Sequence, residues 1–374
     1  MKILQIGKSF PIVGGVERVM YDLMEELSGQ NIYCDMLCAS SAPEKKSRVI
    51  KLNQFSEIKI TPSIFEIAKT KISPGMIFTL RRIKKDYDII HIHHPDPMAT
   101  IALFFSGYKG KVILHWHSDI LTQKYLLKLF RPLQTWMLKR SDLILGTTPV
   151  YTEYSKDLTR YTNKIETLPI GVLDQSAQYN IAFYEKIKSQ YQDKKVIFSL
   201  GRLVPYKGFE YLIKSAKYLD DSYVILIGGK GVLQNSLKHL IEKENLSDKV
   251  KLLGYLDDDI SYSYFKLCDV FCLSSIEKTE AFAIVQIEAM SFSKPIVATN
   301  IAESGVSWVN LHNETGLNVK TKDPESLANA IKAIVGDRSA YQRYAEASLR
   351  RFRKEFSRNK MAERAIEFYK NLLK

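Results

Sequence analysis

The sequence predicts an α/β chain of two doubly wound domains in tandem. Three observations carry that expectation. The chain is 374 residues long, more than one ordinary hydrophobic core organises. Short β-rich apolar runs alternate with amphipathic stretches, the pattern of parallel strands covered by helices. The alternation loosens once, across PIGVLDQSAQYN (169–180), and then begins again.

The first series of strands is expected at KILQIG (2–7), YCDMLCA (33–39), DIIHIH (88–93), KVILHWH (111–117) and DLILGT (142–147). Between the first two lies ERVMYDLMEELSGQ (17–30), apolar at helical spacing, with a glycine at its end as a stop signal. The second series is expected at KVIFSLGR (195–202), YVILIGG (223–229), VKLLGYL (250–256), VFCLSS (270–275) and PIVATN (295–300). The tail, about 338–374, reads as one strongly charged helix. Doubly wound sheets take ligands at the carboxyl ends of their strands, so a crevice between two such domains is the expected site.

A hydrophobic content of 45% with 25% charged residues is globular. The net charge is +13, with 24 Lys+Arg against 16 Asp+Glu over residues 1–170 and 30 against 25 beyond. That excess favours an anionic partner: nucleic acid, an acidic membrane face or a phosphorylated small molecule. Nucleic acid is set aside, because no basic–aromatic stacking motif or recognition-helix pattern accompanies the charge. The four cysteines form two C-x3-C pairs, Cys34/Cys38 and Cys268/Cys272, in apolar runs without nearby histidines. They read as buried free thiols, which fits a reducing cytoplasm. The start, MKILQIGKSF, lacks the apolar stretch of a signal peptide, and PMATIALFFSGY (97–108) is too short to span a bilayer. A cytoplasmic location is therefore expected.

SLGRLVPYKGFEYLIKSA (199–216) reads as a strand, a loop with two glycines and two cations, then a helix. Gly201 permits a tight turn, Arg202 offers a forked donor, Lys207 a compact charge, and Gly208 precedes free helix N–H groups. A solvated surface loop is the bland alternative. Placement at a strand's carboxyl end favours phosphate binding. IGGKG (227–231) repeats the theme, and PIVGGVERVMYDL (11–23) puts Gly14 and Gly15 before a helix. EKTEAFAIVQIEAM (277–290) brackets seven mostly apolar residues with Glu280 and Glu288. On one helix the two carboxylates would lie near one face, about 12 Å apart along the axis. Carboxylates accept hydrogen bonds from hydroxyl pairs, so one suits a ribose and the other a sugar.

E-x7-E, G-R-x4-K-G, the early G-G loop and the late S-G-V (304–306) together resemble the retaining glycosyltransferases of family four, which have the GT-B fold. HIHHPDP (91–97), LHWHSDI (114–120) and QKYLLKLFRPLQ are similar to bacterial mannosyl- and rhamnosyltransferases of polysaccharide and O-antigen assembly. The resemblance implies an acceptor-binding Rossmann-like domain over 1–172 and a nucleotide-sugar-binding one over 173–355. A C-terminal helix, 356–374, would cross back onto the first. It assigns Arg202 and Lys207 to the donor diphosphate, Glu288 to the ribose and Glu280 to the transferred sugar or its phosphate end. Gly14, Gly15, Gly201, Gly229, Tyr255, Ala281, Phe282, Ala283 and Ile284 would complete the donor site. His93, His94, His115 and Asp119, with Gly15, would meet the acceptor, and His117 would face the donor sugar. Implied too are a hexose donor with GDP-sugar favoured, a saccharide or lipid-linked acceptor, and no cofactor. Two positions depart from the family pattern: Ala283 stands where glycine is usual, and Glu303, where relatives often carry glycine, would put a negative charge near the phosphates.

Rival readings stay beside these. LDDDI (256–260) could be a D-x-D metal site, but is expected to cap the helix that follows, so no metal is expected. His91 with His93, and His115 with His117, alternate on strands and share a face. They could hold zinc, or supply sugar-binding groups. The segment 124–140 carries five basic and no acidic residues, with Lys124, Lys128 and Arg131 among leucines and aromatics. It reads either as a packed amphipathic helix or as a contact with the anionic inner face of the plasma membrane. The functional alternatives are the same transfer from a UDP-sugar, or a nucleotide-sugar epimerase of the same fold.

Overall fold

The computed structural model describes residues 1–12, 14–42, 44–68, 70–120 and 124–374. Gln123 and the Lys124 side chain, part of the basic segment, lie outside that description. The chain divides into two compact units, Met1–Val172 with Arg358–Lys374, and Leu173–Ser357.

The first unit holds strands β1 (Lys2–Phe10), β2 (Tyr33–Ser40), β3 (Arg48–Asn53), β4 (Ser56–Thr61), β5 (Phe65–Ile67), β6 (Thr70–Ile72), β7 (Ile89–His94), β8 (Lys111–Trp116), β9 (Leu143–Gly146) and β10 (Ile165–Thr167). Eight of them form one sheet in the order β10-β9-β8-β7-β1-β2-β4-β3, and β5 pairs only with β6. Every pairing in the large sheet is parallel except β3 with β4. All six residues of β7 are buried. That is the pattern of a strand covered on both faces, and it explains why such strands read as apolar runs. β3 and β4 were not expected from the sequence. β3, RVIKLN, is largely exposed, a charged edge strand that blunts further pairing.

The tail is not one helix. It is two, Arg338–Arg351 and Arg358–Leu373, with a wide turn at Phe352–Phe356 between them. Phe352 and Phe356 are buried there, so packing overrides the continuous helical pattern. The last helix is tied into the first unit. Arg358 reaches Glu26 at 3.0 Å, Glu25 at 2.5 Å and Asp22 at 3.7 Å on the helix Gly15–Gly29. Tyr369, fully buried, hydrogen-bonds His91 Nδ1 at 2.8 Å.

The second unit holds β11 (Lys195–Leu200), β12 (Tyr223–Gly228), β13 (Val250–Gly254), β14 (Val270–Leu273), β15 (Ile296–Asn300) and β16 (Gly316–Lys320). They form one parallel sheet in the order β13-β12-β11-β14-β15-β16. β11 and β14 are neighbours from which the winding runs in opposite directions, the topological switch point where α/β sheets bind ligands. Ile197, Ile225, Val270 and Val297 pack its core with Leu212, Ile213 and Ile331 from covering helices. All four cysteines are buried free thiols. Burial pushes Cys34, Cys268 and Cys272 up to about 12.

Candidate active site

The second unit's switch point brings together the loop after β11 and the loop after β14. Lys207 ends a short turn, Pro205–Lys207, and Gly208 follows at φ +62 to admit the helix Phe209–Ser215. The two loops are stitched by backbone. Ile276 N–H donates to the Tyr206 carbonyl at 2.8 Å, and Ser274 Oγ donates to the Lys207 carbonyl at 3.0 Å. A Cβ on Gly208 would come 2.3 Å from the Ser274 carbonyl oxygen, so only glycine allows that approach.

Across this seam Lys207 Nζ meets Glu280 Oε2 at 2.5 Å, and Ser275 Oγ donates to the same carboxylate at 2.7 Å. Lys207 and Glu280 are 8% and 7% exposed, so the pair is desolvated rather than a surface contact. Arg202 is exposed beside it, 3.4 Å from the Tyr206 hydroxyl. The result is a buried, locally neutral pair flanked by an exposed cation. An anion arriving here meets Lys207 in a preorganised setting, because the lysine is already oriented.

The two glutamates do not share a helix. The helix runs only Ile284–Ser291, so Glu288 is helical and half-buried while Glu280 lies in the preceding loop. Ala283 breaks the run at φ 62, ψ 75. That left-handed conformation costs a residue with Cβ about 1 kcal/mol relative to glycine. Glycine's usual place in the family pattern and this dihedral thus agree, and Ala283 accepts the strain. Ala281 and Phe282 are buried, Phe282 packing edge-on against Phe356. Ser304 Oγ donates to the Glu280 carbonyl, and Gly305 N–H to that of Ala281 at 3.0 Å. Glu303 also sits at positive φ, and its carboxylate pairs with Lys278 at 3.1 Å. The negative charge expected near the phosphates is therefore answered by a cation.

Gly229, at φ +133, passes so close to β11's end that a Cβ would lie 1.9 Å from the Gly201 carbonyl oxygen. Tyr255 is 67% exposed, with Lys230 Nζ 5.7 Å from its ring centre. The aspartates of LDDDI open the helix Asp258–Leu267, but Asp257 makes no side-chain cap bond, unlike the expectation.

In the first unit Gly14 caps the helix Gly15–Gly29. A Cβ on Gly14 would fall 2.8 Å from Glu17 Oε2, so the helix's own first turn brings a carboxylate to the place expected for an anion. The histidines gather at the carboxyl ends of β7 and β8. His91, His93, His94, His115 and His117 are all buried, and burial pushes each below the ordinary imidazole range, His94 and His115 to about 3. Ligand nitrogens of His91, His93 and His115 lie within 4.8 Å of one another. Their rings nevertheless stack, His91 on His93 at 4.6 Å and 16°, and His91 on His115 at 5.4 Å and 24°. A shared ion must lie near the plane of every ligating ring; the two stacked pairs do not converge on one, and only His93 and His115 are tilted, by 40°. His94 stacks on Trp116 at 3.8 Å. Asp119 is engaged structurally, accepting from Trp116 Nε1 at 2.9 Å and Ser155 Oγ at 2.6 Å.

Sequence reasoning missed Ser275, Tyr206 and Gln5. Ser275 closes the run VFCLSS, so a hydroxyl at a strand's carboxyl end was its only signal.

Two Rossmann-like units, with cations and a buried carboxylate at the carboxyl ends of parallel strands, define a GT-B architecture. Solved structures agree: Alr3699/HepE of Anabaena, in a complex with UDP, superposes with a TM-score of 0.79 at 18% identity over 99% of this chain and 100% of that one. Residues 13–175 match the model described as Glycosyltransferase Family 4, and residues 180–351 the one described as Glycosyl transferases group 1. The chain thus belongs to these glycosyltransferases. Among curated relatives, the O-antigen chain mannosyltransferase C of Escherichia coli is 28% identical over 100% of this chain and 99% of its own. The D-rhamnosyltransferase WbpZ of Pseudomonas aeruginosa is 27% identical over 89% and 86%.

Proposed function

We propose that the protein moves a mannose- or deoxyhexose-type sugar from a nucleoside-diphosphate donor to a saccharide or lipid-linked saccharide, with retention of anomeric configuration and without a metal. The observation carrying this reading is the buried Lys207–Glu280 pair beside Arg202 at the second unit's switch point. Breaking the sugar–phosphate bond builds negative charge on the leaving diphosphate, and oriented cations stabilise it most where water is excluded. Glu280, released from Lys207 by an incoming phosphate, becomes free to accept from sugar hydroxyls. Glu288, on the adjoining helix, serves the ribose. Gly201, Gly229 and residues 281–284 let backbone approach the donor, with Tyr255 at the rim. The acceptor is assigned to the first unit, near Gly15 and the histidines, with His117 toward the donor sugar. No protein nucleophile is assigned; the acceptor hydroxyl attacks on the face the diphosphate leaves, passing its proton to that phosphate.

The names of the two curated relatives favour a sugar of the mannose or rhamnose type, and a GDP-linked donor is the first reading. The UDP named in the Anabaena structure supports a UDP-sugar as the second reading. Incubation with GDP-mannose and a lipid-linked acceptor in excess EDTA tests the reading. An α-linked product by NMR is expected; inversion, or activity abolished by the chelator and restored by metal, overturns it.

Contact with anionic lipid is also proposed. No helix among the described residues is long and apolar enough to cross a membrane. On the helix Lys124–Arg140, however, Tyr125 and Leu129 are 86% and 85% exposed among basic residues. Residues so apolar and so open suit an interfacial helix. Flotation with anionic vesicles is expected, and its absence would remove this part.

A further inference from the structure

A proton chain runs through the first unit from a backbone carbonyl to His117. Gln5, on β1 and fully buried, donates through Nε2 to the Met20 carbonyl at 3.0 Å and to Cys34 Sγ at 3.4 Å. Its amide orientation is thereby fixed, because the reverse would set two oxygens against each other. Gln5 Oε1 therefore faces His93 Nε2 at 2.7 Å and can only accept, so that nitrogen carries the proton. A neutral imidazole has one N–H, which leaves His93 Nδ1 as a lone pair. His117 Nε2, 2.9 Å from it, must then be the donor. Burial keeps both rings neutral, since nothing pays the cost of a charge there. The remaining atom, His117 Nδ1, is a lone pair with no hydrogen-bond partner. The ring is held from behind as well, its backbone N–H donating to the His94 carbonyl at 3.1 Å.

We propose that Gln5 and His93 are positioning residues that set the tautomer of His117, keeping its Nδ1 unprotonated at the carboxyl end of the sheet. The inference rests on the transferase reading for what His117 serves. Its chemical sense is this: cleavage of a glycosyl–phosphate bond leaves the sugar electron-poor at its anomeric carbon. A neutral imidazole presenting a lone pair is compatible with that charge, and an N–H pointing the same way opposes it. Neither Gln5 nor His93 needs to touch substrate. Tyr369 performs no such service, because it bonds His91, which is not in the chain.

The test uses the full protein labelled with 15N-histidine, whose seven imidazoles report their tautomers in long-range 1H–15N spectra. His93 and His117 are expected with the proton on Nε2. Gln5→Met, which fills the space but offers no oxygen, should lose that uniform state and lower kcat about tenfold or more, with the donor KM little changed. Gln5→Glu, held protonated by burial, can donate its hydroxyl to the Met20 carbonyl and keep an oxygen facing His93, so it should recover the tautomer and most of kcat. A proton on His117 Nδ1 in the parent overturns the proposal, as does an unchanged tautomer or kcat in Gln5→Met. The parent spectrum decides even if a variant fails to fold. It is read without substrate, so a parent that turns over no nucleotide sugar would defeat the transferase reading while the tautomer result stood separately.

Discussion

Replacing Lys207 by alanine is expected to lower turnover by about 10²–10³-fold, the usual effect of deleting one preorganised donor to a developing anion. The same substitution should also destabilise the protein, because Lys207 neutralises a carboxylate that is 7% exposed. With the lysine gone, Glu280 keeps only the Ser275 hydroxyl among these partners. Removing one member of a buried pair costs about 3–5 kcal/mol. The two losses separate in a double variant. Lys207→Met with Glu280→Gln leaves no buried charge and should regain most of the stability, since an apolar replacement of a buried pair is often neutral. Turnover should stay low in the double variant. Urea unfolding and initial rates on the single and double variants supply both readings. Parental turnover in Lys207→Ala would end the assignment of this lysine to the diphosphate.

Gly208→Ala should cost about 2–4 kcal/mol, from left-handed strain and the clash of an added methyl. The obstacle is the Ser274 carbonyl oxygen, 2.3 Å from the new Cβ, and backbone cannot swing aside as a side chain can. Relief requires the two loops to part, which separates Lys207 from Glu280. The donor KM should therefore rise along with the loss of stability. Gly201→Ala is the control for stability alone, since Gly201 itself borders the donor. Its Cβ would meet the Lys207 side chain at 3.3 Å, a flexible neighbour that can yield, and its φ is not in the left-handed range. A melting temperature for Gly208→Ala equal to the parent's would contradict this account of the seam.

The strands that position the site were legible because central parallel strands are buried on both faces and free of charged side chains, as in IIHIHH and YVILIG. β3 escaped because a charged edge carries no such signal, and β4, SEIKIT, because Glu57 and Lys59 interrupt the apolar run although the strand is paired on both sides. The Glu280–Glu288 spacing suggested one helix, and the left-handed turn at Ala283 could not be read from an alanine. Lys207 and Glu280 were each singled out, yet their pairing joins loops 73 residues apart and depends on β11 and β14 being neighbours. Gln5 left no trace, since one amide in an apolar strand resembles any other. Its role emerges only when its nitrogen is seen engaged elsewhere.

The most direct measurement is a thermal-shift titration of the purified protein with GDP, UDP, ADP and dTDP, since a ligand that binds the native state raises its melting temperature. The expected result is a selective rise with GDP that disappears in Glu288→Ala. A selective rise with UDP keeps the site and replaces the donor. No shift with any of the four would contradict the central claim that the second unit's switch point holds a nucleoside diphosphate.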